Sequence, residues 1–144
     1  MTDSANLDLV RSIFADWERG DISRAGWADP DIEYTAVGGV LPTGTWKGLA
    51  GMAEAVRAGI DVIEDGRIAA ERYSELDGER VLVLDRRSGR MKRSSIQFGT
   101  TTFLPRTGAH LFHLRDGKVT KLVAYYDRNE ALADLGLASE GETP

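Results

Sequence analysis

The spacing of apolar positions changes character about halfway along the chain. Leu7, Val10, Phe14 and Trp17 recur at helical intervals with Ile13 beside them, one broad stripe. That stripe predicts a helix over about 4–19, with Asp3 or Ser4 as its cap. Gly20 suits the helix end, and Asp21 can open a second short helix over about 21–27, which Asp29-Pro30-Asp31 breaks. Ile32–Val37 alternates as a strand, with Ile32, Tyr34 and Ala36 on one face and Glu33, Thr35 and Val37 on the other. Gly38–Thr45 reads as an irregular Gly/Pro loop. Trp46-Lys47-Gly48 then leads into a helix over about 48–60, whose stripe is Leu49, Met52, Ala53, Val56 and Ile60.

From Arg67 onward the period is that of strands. Arg67–Glu75 and Arg80–Arg87 flank a tight Asp77-Gly78 turn, and Ser88-Gly89 is a further turn or a bulge. Arg90–Phe98 reads as extended, whereas Gly99–Gly108 contains Pro105 and has no clear period. The strongest local signal follows. Ala109–Leu114 and Val119–Tyr126 flank Arg115-Asp116-Gly117-Lys118, and Asp-Gly between apolar runs predicts a hairpin. Asp127-Arg128-Asn129-Glu130 is a capping box that opens a short helix ending before Gly136. Helices followed by hairpin-connected strands form an α+β pattern, with helices on one face of an antiparallel sheet. The domain is expected to span residues 1–137, with a polar tail over 138–144.

Composition narrows the function classes. With 144 residues, 42% hydrophobic and 28% charged, the chain is long enough for one domain with a real core. It has no cysteine, which excludes disulfides, thiolate nucleophiles and cysteine-ligated metals and fits a cytoplasmic location. A net charge of −5 argues against general nucleic-acid binding. No apolar run is long enough to span a bilayer, and the N-terminal residues do not read as a signal peptide.

Chemistry concentrates on the last hairpin. Alternation puts His110, Phe112 and Leu114 on one face, and Leu122, Ala124 and Tyr126 share a face of the next strand. His110 can hydrogen-bond a ligand carbonyl or act as an acid or base near neutral pH; alternatively it is a core histidine satisfied by a neighbour such as Tyr126. Thr35 is expected to face the same cavity. Glu33, on the same side of its strand, is the one carboxylate expected there, or else a solvated or Arg-paired side chain. Trp17, Trp46 and Tyr126 are expected as flat apolar walls, a role that overlaps with core packing. His113 points to the opposite face. Asp127 reads as a helix cap, and Arg86, Arg87, Arg90, Lys92 and Arg93 as a solvated or dimer-facing basic run. No metal site is expected, because His110 and His113 diverge to opposite faces.

The order of elements and several motifs resemble the SnoaL-like branch of the nuclear transport factor 2-like superfamily. The matching pieces include the helix ending at Gly20-Asp21, the segment Trp27-Ala28-Asp29-Pro30-Asp31-Ile32-Glu33-Tyr34, and Trp46-Lys47-Gly48. They continue with His110 through Val119 and with Tyr126-Asp127-Arg128-Asn129-Glu130-Ala131-Leu132, closing with Leu135-Gly136-Leu137. The resemblance implies a cone-shaped, cystatin-like α+β fold. In it, three N-terminal helices pack on a strongly curved antiparallel sheet around a deep, mostly apolar pocket. Such relatives include ketosteroid isomerases, polyketide cyclases, limonene epoxide hydrolases, scytalone dehydratases and proteins without chemistry, so fold does not assign activity.

Position by position, the resemblance removes several activities. The isomerase base position matches Thr35, its phenol donor matches Ile13, and its second oxyanion donor matches His110. The epoxide hydrolase arginine matches Arg80, but its two aspartates match Leu82 and Ala124. The cyclase aspartate also falls near Ala124, although a histidine near His110 suits those enzymes. The expected function is therefore a small-molecule-binding protein with no required catalysis. The alternative is a lyase, isomerase or cyclase acting on a hydrophobic carbonyl compound, with His110 as acid/base or polarising donor. The expected pocket residues are Trp17, Glu33, Thr35, Trp46, His110, Phe112 and Tyr126. The expected partners are a small hydrophobic molecule, without cofactor, and a second copy, forming a homodimer through the outer sheet face at Leu111, His113 and Tyr125.

Overall fold

Ser4 starts the first helix as the spacing predicts: its hydroxyl accepts from the Leu7 amide at 3.0 Å, satisfying one of the orphan donors of the first turn. In the computed structural model, which describes residues 4–22, 24–37, 43–61, 63–91 and 107–137, this helix is α1, Ala5–Glu18. Its buried face is Val10, Ile13 and Phe14. After it come β1 (Ala28–Val37), β2 (Gly44–Lys47), α2 (Gly48–Asp61), β3 (Ile63–Asp77), β4 (Arg80–Met91), β5 (Thr107–Arg115), β6 (Lys118–Tyr125) and α3 (Arg128–Asp134).

Two features of the expected architecture are corrected. The helices are not gathered at the N-terminus: only α1 precedes the sheet, α2 lies between β2 and β3, and α3 follows β6. Residues 21–27 form no helix among the described residues. The segment is too short to hold a helix by itself. Its apolar side chains Ala25 and Trp27 pack on the core from an irregular path, and the Trp27 carbonyl accepts from the Val119 amide at 2.9 Å. The sheet is also mixed rather than wholly antiparallel. Its strand order is β2-β1-β6-β5-β4-β3, and β1 runs parallel to β6. No tight turn ties those two strands, so nothing local imposes the antiparallel sense.

Smaller differences have local causes. Gly44 and Thr45, expected in a loop, pair with Ala36 and Thr35 as the start of β2. Opposite Ser88-Gly89 the ladder is irregular, with an extra residue on β3 between Glu64 and Arg67, so the bulge reading holds there. The Asp116-Gly117 hairpin forms as expected, with both central residues at positive φ, 52° and 76°. The Asp127 carboxylate accepts from the Asn129 amide at 2.9 Å and caps α3. The extended reading of Arg90–Phe98 agrees with β4 as far as Met91. Its remainder, the Gly99–Gly108 stretch up to residue 106, and the 138–144 tail lie outside the described residues.

The sheet has two apolar faces. On the inner one, under α1 and α2, lie Ile32, Val81, Val83, Phe112, Leu114, Val119 and Leu122, packed with Val10, Ile13, Phe14 and Met52. Phe14 and Phe112 are fully buried, each stabilising the fold by about 1.5–3 kcal/mol relative to an exposed side chain. On the outer face, α3 places Ala131 and Leu132 over Leu82, Leu84, Ala109, Leu111, Val123 and Tyr125. Among the described residues, no helix is long and apolar enough to cross a membrane.

Candidate functional site

Strand parity carries polar groups onto the inner face. On β4, Val81 and Val83 point inward, so Asp85 and Arg87 point inward as well. On β5 the inward positions are His110, Phe112 and Leu114. Val83 pairs with His110 and Asp85 with Gly108, so Asp85 and His110 are diagonal neighbours. Asp85 Oδ2 lies 2.7 Å from His110 Nδ1, and Asp85 is fully buried. Its other oxygen, Oδ1, accepts from Arg87 Nε at 2.9 Å.

This arrangement sets the charge of Asp85 and the hydrogen on His110 Nδ1. Burial pushes the Asp85 carboxyl up, but the His110 imidazole and the Arg87 guanidinium outweigh it and hold the group below its usual range. A carboxylate only accepts, so Nδ1 of His110 must carry the hydrogen. Nε2 makes no hydrogen bond among the described residues, and no buried side-chain nitrogen or oxygen there lacks a partner. Nε2 therefore reaches open space, and that space is the cavity His110 lines.

The supporting shell is dense. Arg87 also donates to the Tyr125 carbonyl at 2.8 Å, and its guanidinium lies 5.3 Å from the centre of the Tyr126 ring. Arg128, buried at the start of α3, donates to the Asp85 carbonyl at 2.7 Å and pairs with Glu71. The imidazole is gripped by aromatic rings. Phe14 meets it edge-on at 5.5 Å and Trp17 lies 5.3 Å away. α1 thus fixes the ring plane while β4 fixes the tautomer.

The cavity has a volume of about 440 Å³, within the usual range for small-molecule sites. Trp17, Trp27, Tyr34, Met52, Val56 and Leu122 form much of its wall, and His110, Arg87 and Tyr126 also line it. Burial, then the neighbouring Tyr126, pushes the Tyr34 phenol up, against a lowering by Arg87. Tyr126 is likewise raised by burial. Both phenols stay protonated at neutral pH and can donate hydrogen bonds. Among the described residues, no group of three His, Asp or Glu side chains could hold a metal ion.

The structure separates the sequence-predicted residues. It brings Trp17, His110 and Tyr126 to one cavity. Phe112 sits in the core beside Trp17, ring centres 6.0 Å apart, and Trp46 packs on Tyr34 at 6.1 Å. Glu33 and Thr35 are corrected. They lie on the face of β1 opposite Tyr34, where Glu33 pairs with Lys121 at 3.6 Å and the Thr35 hydroxyl with that of Thr45 at 3.1 Å. Tyr34 takes the inward place given to Thr35. Arg80 pairs with Asp77 at the hairpin end. Arg87 is not part of a solvated run, being bonded to Asp85 and one-tenth exposed. Leu111 and Tyr125, expected at an exposed interface, are buried beneath α3. The carboxylate that sequence reasoning missed is Asp85. Its phase with Val81 and Val83 was the available signal.

No family model matches the sequence, and no curated protein matches it. Solved structures do. TerC, crystallised with polyporic acid, is 28% identical, with 92% of this chain and 98% of that one covered at a TM-score of 0.67. A protein of unknown function from Burkholderia pseudomallei K96243, described as nuclear transport factor 2-like, is 23% identical. That match covers 91% of this chain and 97% of the other at a TM-score of 0.69. A putative SnoaL-like polyketide cyclase from Jannaschia sp. CCS1 is 17% identical, with 99% of each chain covered at a TM-score of 0.66. The last two likenesses speak for the fold alone.

Proposed function

We propose that the chain, on its nuclear transport factor 2-like fold, holds a SnoaL-like small-molecule site with a proton-transfer group. The ligand is a small, mostly apolar carbonyl compound held in the cone between α1, α2 and the inner sheet face. His110 is the group that meets its polar atom. The observation that carries this reading is the 2.7 Å contact between His110 Nδ1 and buried Asp85, on a histidine that lines the cavity.

That contact shifts the balance between binding and catalysis. The sequence places no carboxylate where the resemblance requires one. Asp85 supplies one from β4. With Nδ1–H donated to Asp85, Nε2 accepts a proton from a ligand, and the Asp85 charge stabilises the imidazolium that forms. The proton can then return to a different atom of the same molecule, which is the chemistry of an isomerase, lyase or cyclase. Tyr34, which lines the cavity, supplies a donor for a developing oxyanion. Binding without turnover is the second reading, favoured by the mostly apolar wall. A cytoplasmic location and a homodimer belong to the same proposal; with Leu111 and Tyr125 covered, His113 is the outward position left to support the interface.

Polyporic acid is the first probe, because TerC was crystallised with it. Its binding is measured calorimetrically with wild type and His110→Ala, and its conversion is followed by chromatography. Loss of about 1–3 kcal/mol of affinity supports contact with His110. Turnover that falls about 10²–10⁴-fold in the variant supports proton transfer. Binding of several such carbonyl compounds that ignores the variant contradicts the proposal.

A further inference from the structure

We infer that the cavity selects a ligand carrying a negative charge on its apolar frame, with that charge held at the opening. The inference rests on the reading of the cavity as a ligand site and adds the chemical class. Its basis is a local reversal of charge. The chain has 23 acidic residues against 18 basic ones. Yet the described residues that line the cavity include Arg24, Arg67 and Arg87 and no aspartate or glutamate.

The three arginines differ in depth. Arg87 is nearly closed off, and Asp85 meets its charge at 2.9 Å. Arg24 and Arg67 are exposed, which places them at the mouth. The Arg24 side chain is 72% exposed and faces Asp21 across 3.6 Å, a loose pair that an incoming anion can share or displace. Ile22 and Ile60, also exposed, stand at the same opening. Apolar side chains mixed with guanidinium groups match the junction between an apolar body and an anionic head. The body loses water inside, and the head keeps some water while accepting N–H donors. A neutral ligand gains nothing from the guanidinium groups at the mouth, and a cationic one meets like charge.

Two fluorescent probes separate these cases: anilinonaphthalene sulfonate and its uncharged parent, phenylnaphthylamine. Each is titrated into the full chain at low and high salt, with the other as competitor. The sulfonate is expected to bind several-fold more tightly at low salt, with the preference shrinking as salt screens the mouth. Arg24→Gln/Arg67→Gln should weaken the sulfonate roughly 2–10-fold and leave the neutral probe within about 2-fold. Arg72→Gln/Arg115→Gln removes the same net charge from exposed positions outside the lining and should preserve the preference. Equal binding of the two probes, or equal loss in both double variants, overturns the charge inference alone. If neither probe binds, the ligand-site reading and this inference fall together.

Discussion

Asp85 Oδ2 and His110 Nδ1, on the neighbouring strands β4 and β5, lie 2.7 Å apart on the inner face of the sheet. Each side chain alone would be costly at this depth. Together, with Arg87 on the second carboxylate oxygen, they form a satisfied group that presents one free imidazole nitrogen to a cavity.

The pair makes stability depend on acid. The folded carboxyl of Asp85 is held below its ordinary value of 3.8, so near that pH the unfolded chain binds the proton more readily. The stabilisation is complete above this value and is lost as pH falls through the lower folded one. Asp85→Asn leaves Arg87 buried without its counter-charge and should cost about 3 kcal/mol at neutral pH, the low end for a broken buried pair. Urea unfolding of both proteins across pH should show that gap narrowing below about pH 4. A gap that widens in acid would contradict the assignment.

Gly108 is the position where a side chain cannot be added. A Cβ there would lie 2.6 Å from an Arg87 guanidinium nitrogen and 2.6 Å from the Tyr125 carbonyl oxygen. The carbonyl belongs to the sheet and cannot yield. Gly108→Ala should therefore destabilise by about 1–3 kcal/mol. It should also loosen Arg87 from Asp85, so that the variant loses most of the acid-dependent stability. Thermal melts at neutral and acid pH check both effects.

Arg128 ties α3 to the same strand. Its guanidinium donates to the Asp85 carbonyl at 2.7 Å from a buried position. Arg128→Met keeps much of the volume but removes that hydrogen bond and the ion pair with Glu71, at a cost of about 1–3 kcal/mol. Hydrogen exchange should show faster exchange in α3 and around Asp85, with α1 unchanged. Uniform loss of protection would argue against a local tie.

Much of this was legible in the chain. The stripe Leu7, Val10, Phe14 and Trp17 and the Asp116-Gly117 turn each act through neighbours close in sequence, so period and turn chemistry suffice. Alternation also put His110, Phe112 and Leu114 together. It could not say which face of β1 joins them. That depends on parallel pairing with β6, where Tyr34 meets Leu122 and Thr35 meets Val123. Hence Tyr34, not Thr35, faces inward. Asp85 is a subtler case: its phase with Val81 and Val83 was visible, but the partner that makes a buried carboxylate tolerable is far away in sequence. Arg87 was hidden among other basic residues, because a charge run gives no sign of which member turns inward.

The most direct test of the account reads the His110 ring itself. The chain has two histidines, so a long-range proton–nitrogen spectrum resolves both rings. His110 should show a hydrogen on Nδ1, donated to Asp85, and saturation with polyporic acid or another bound carbonyl compound should shift Nε2 while leaving His113 unmoved. A His110 with a bare Nδ1, whose resonances do not respond to any ligand that fills the cavity, would contradict it.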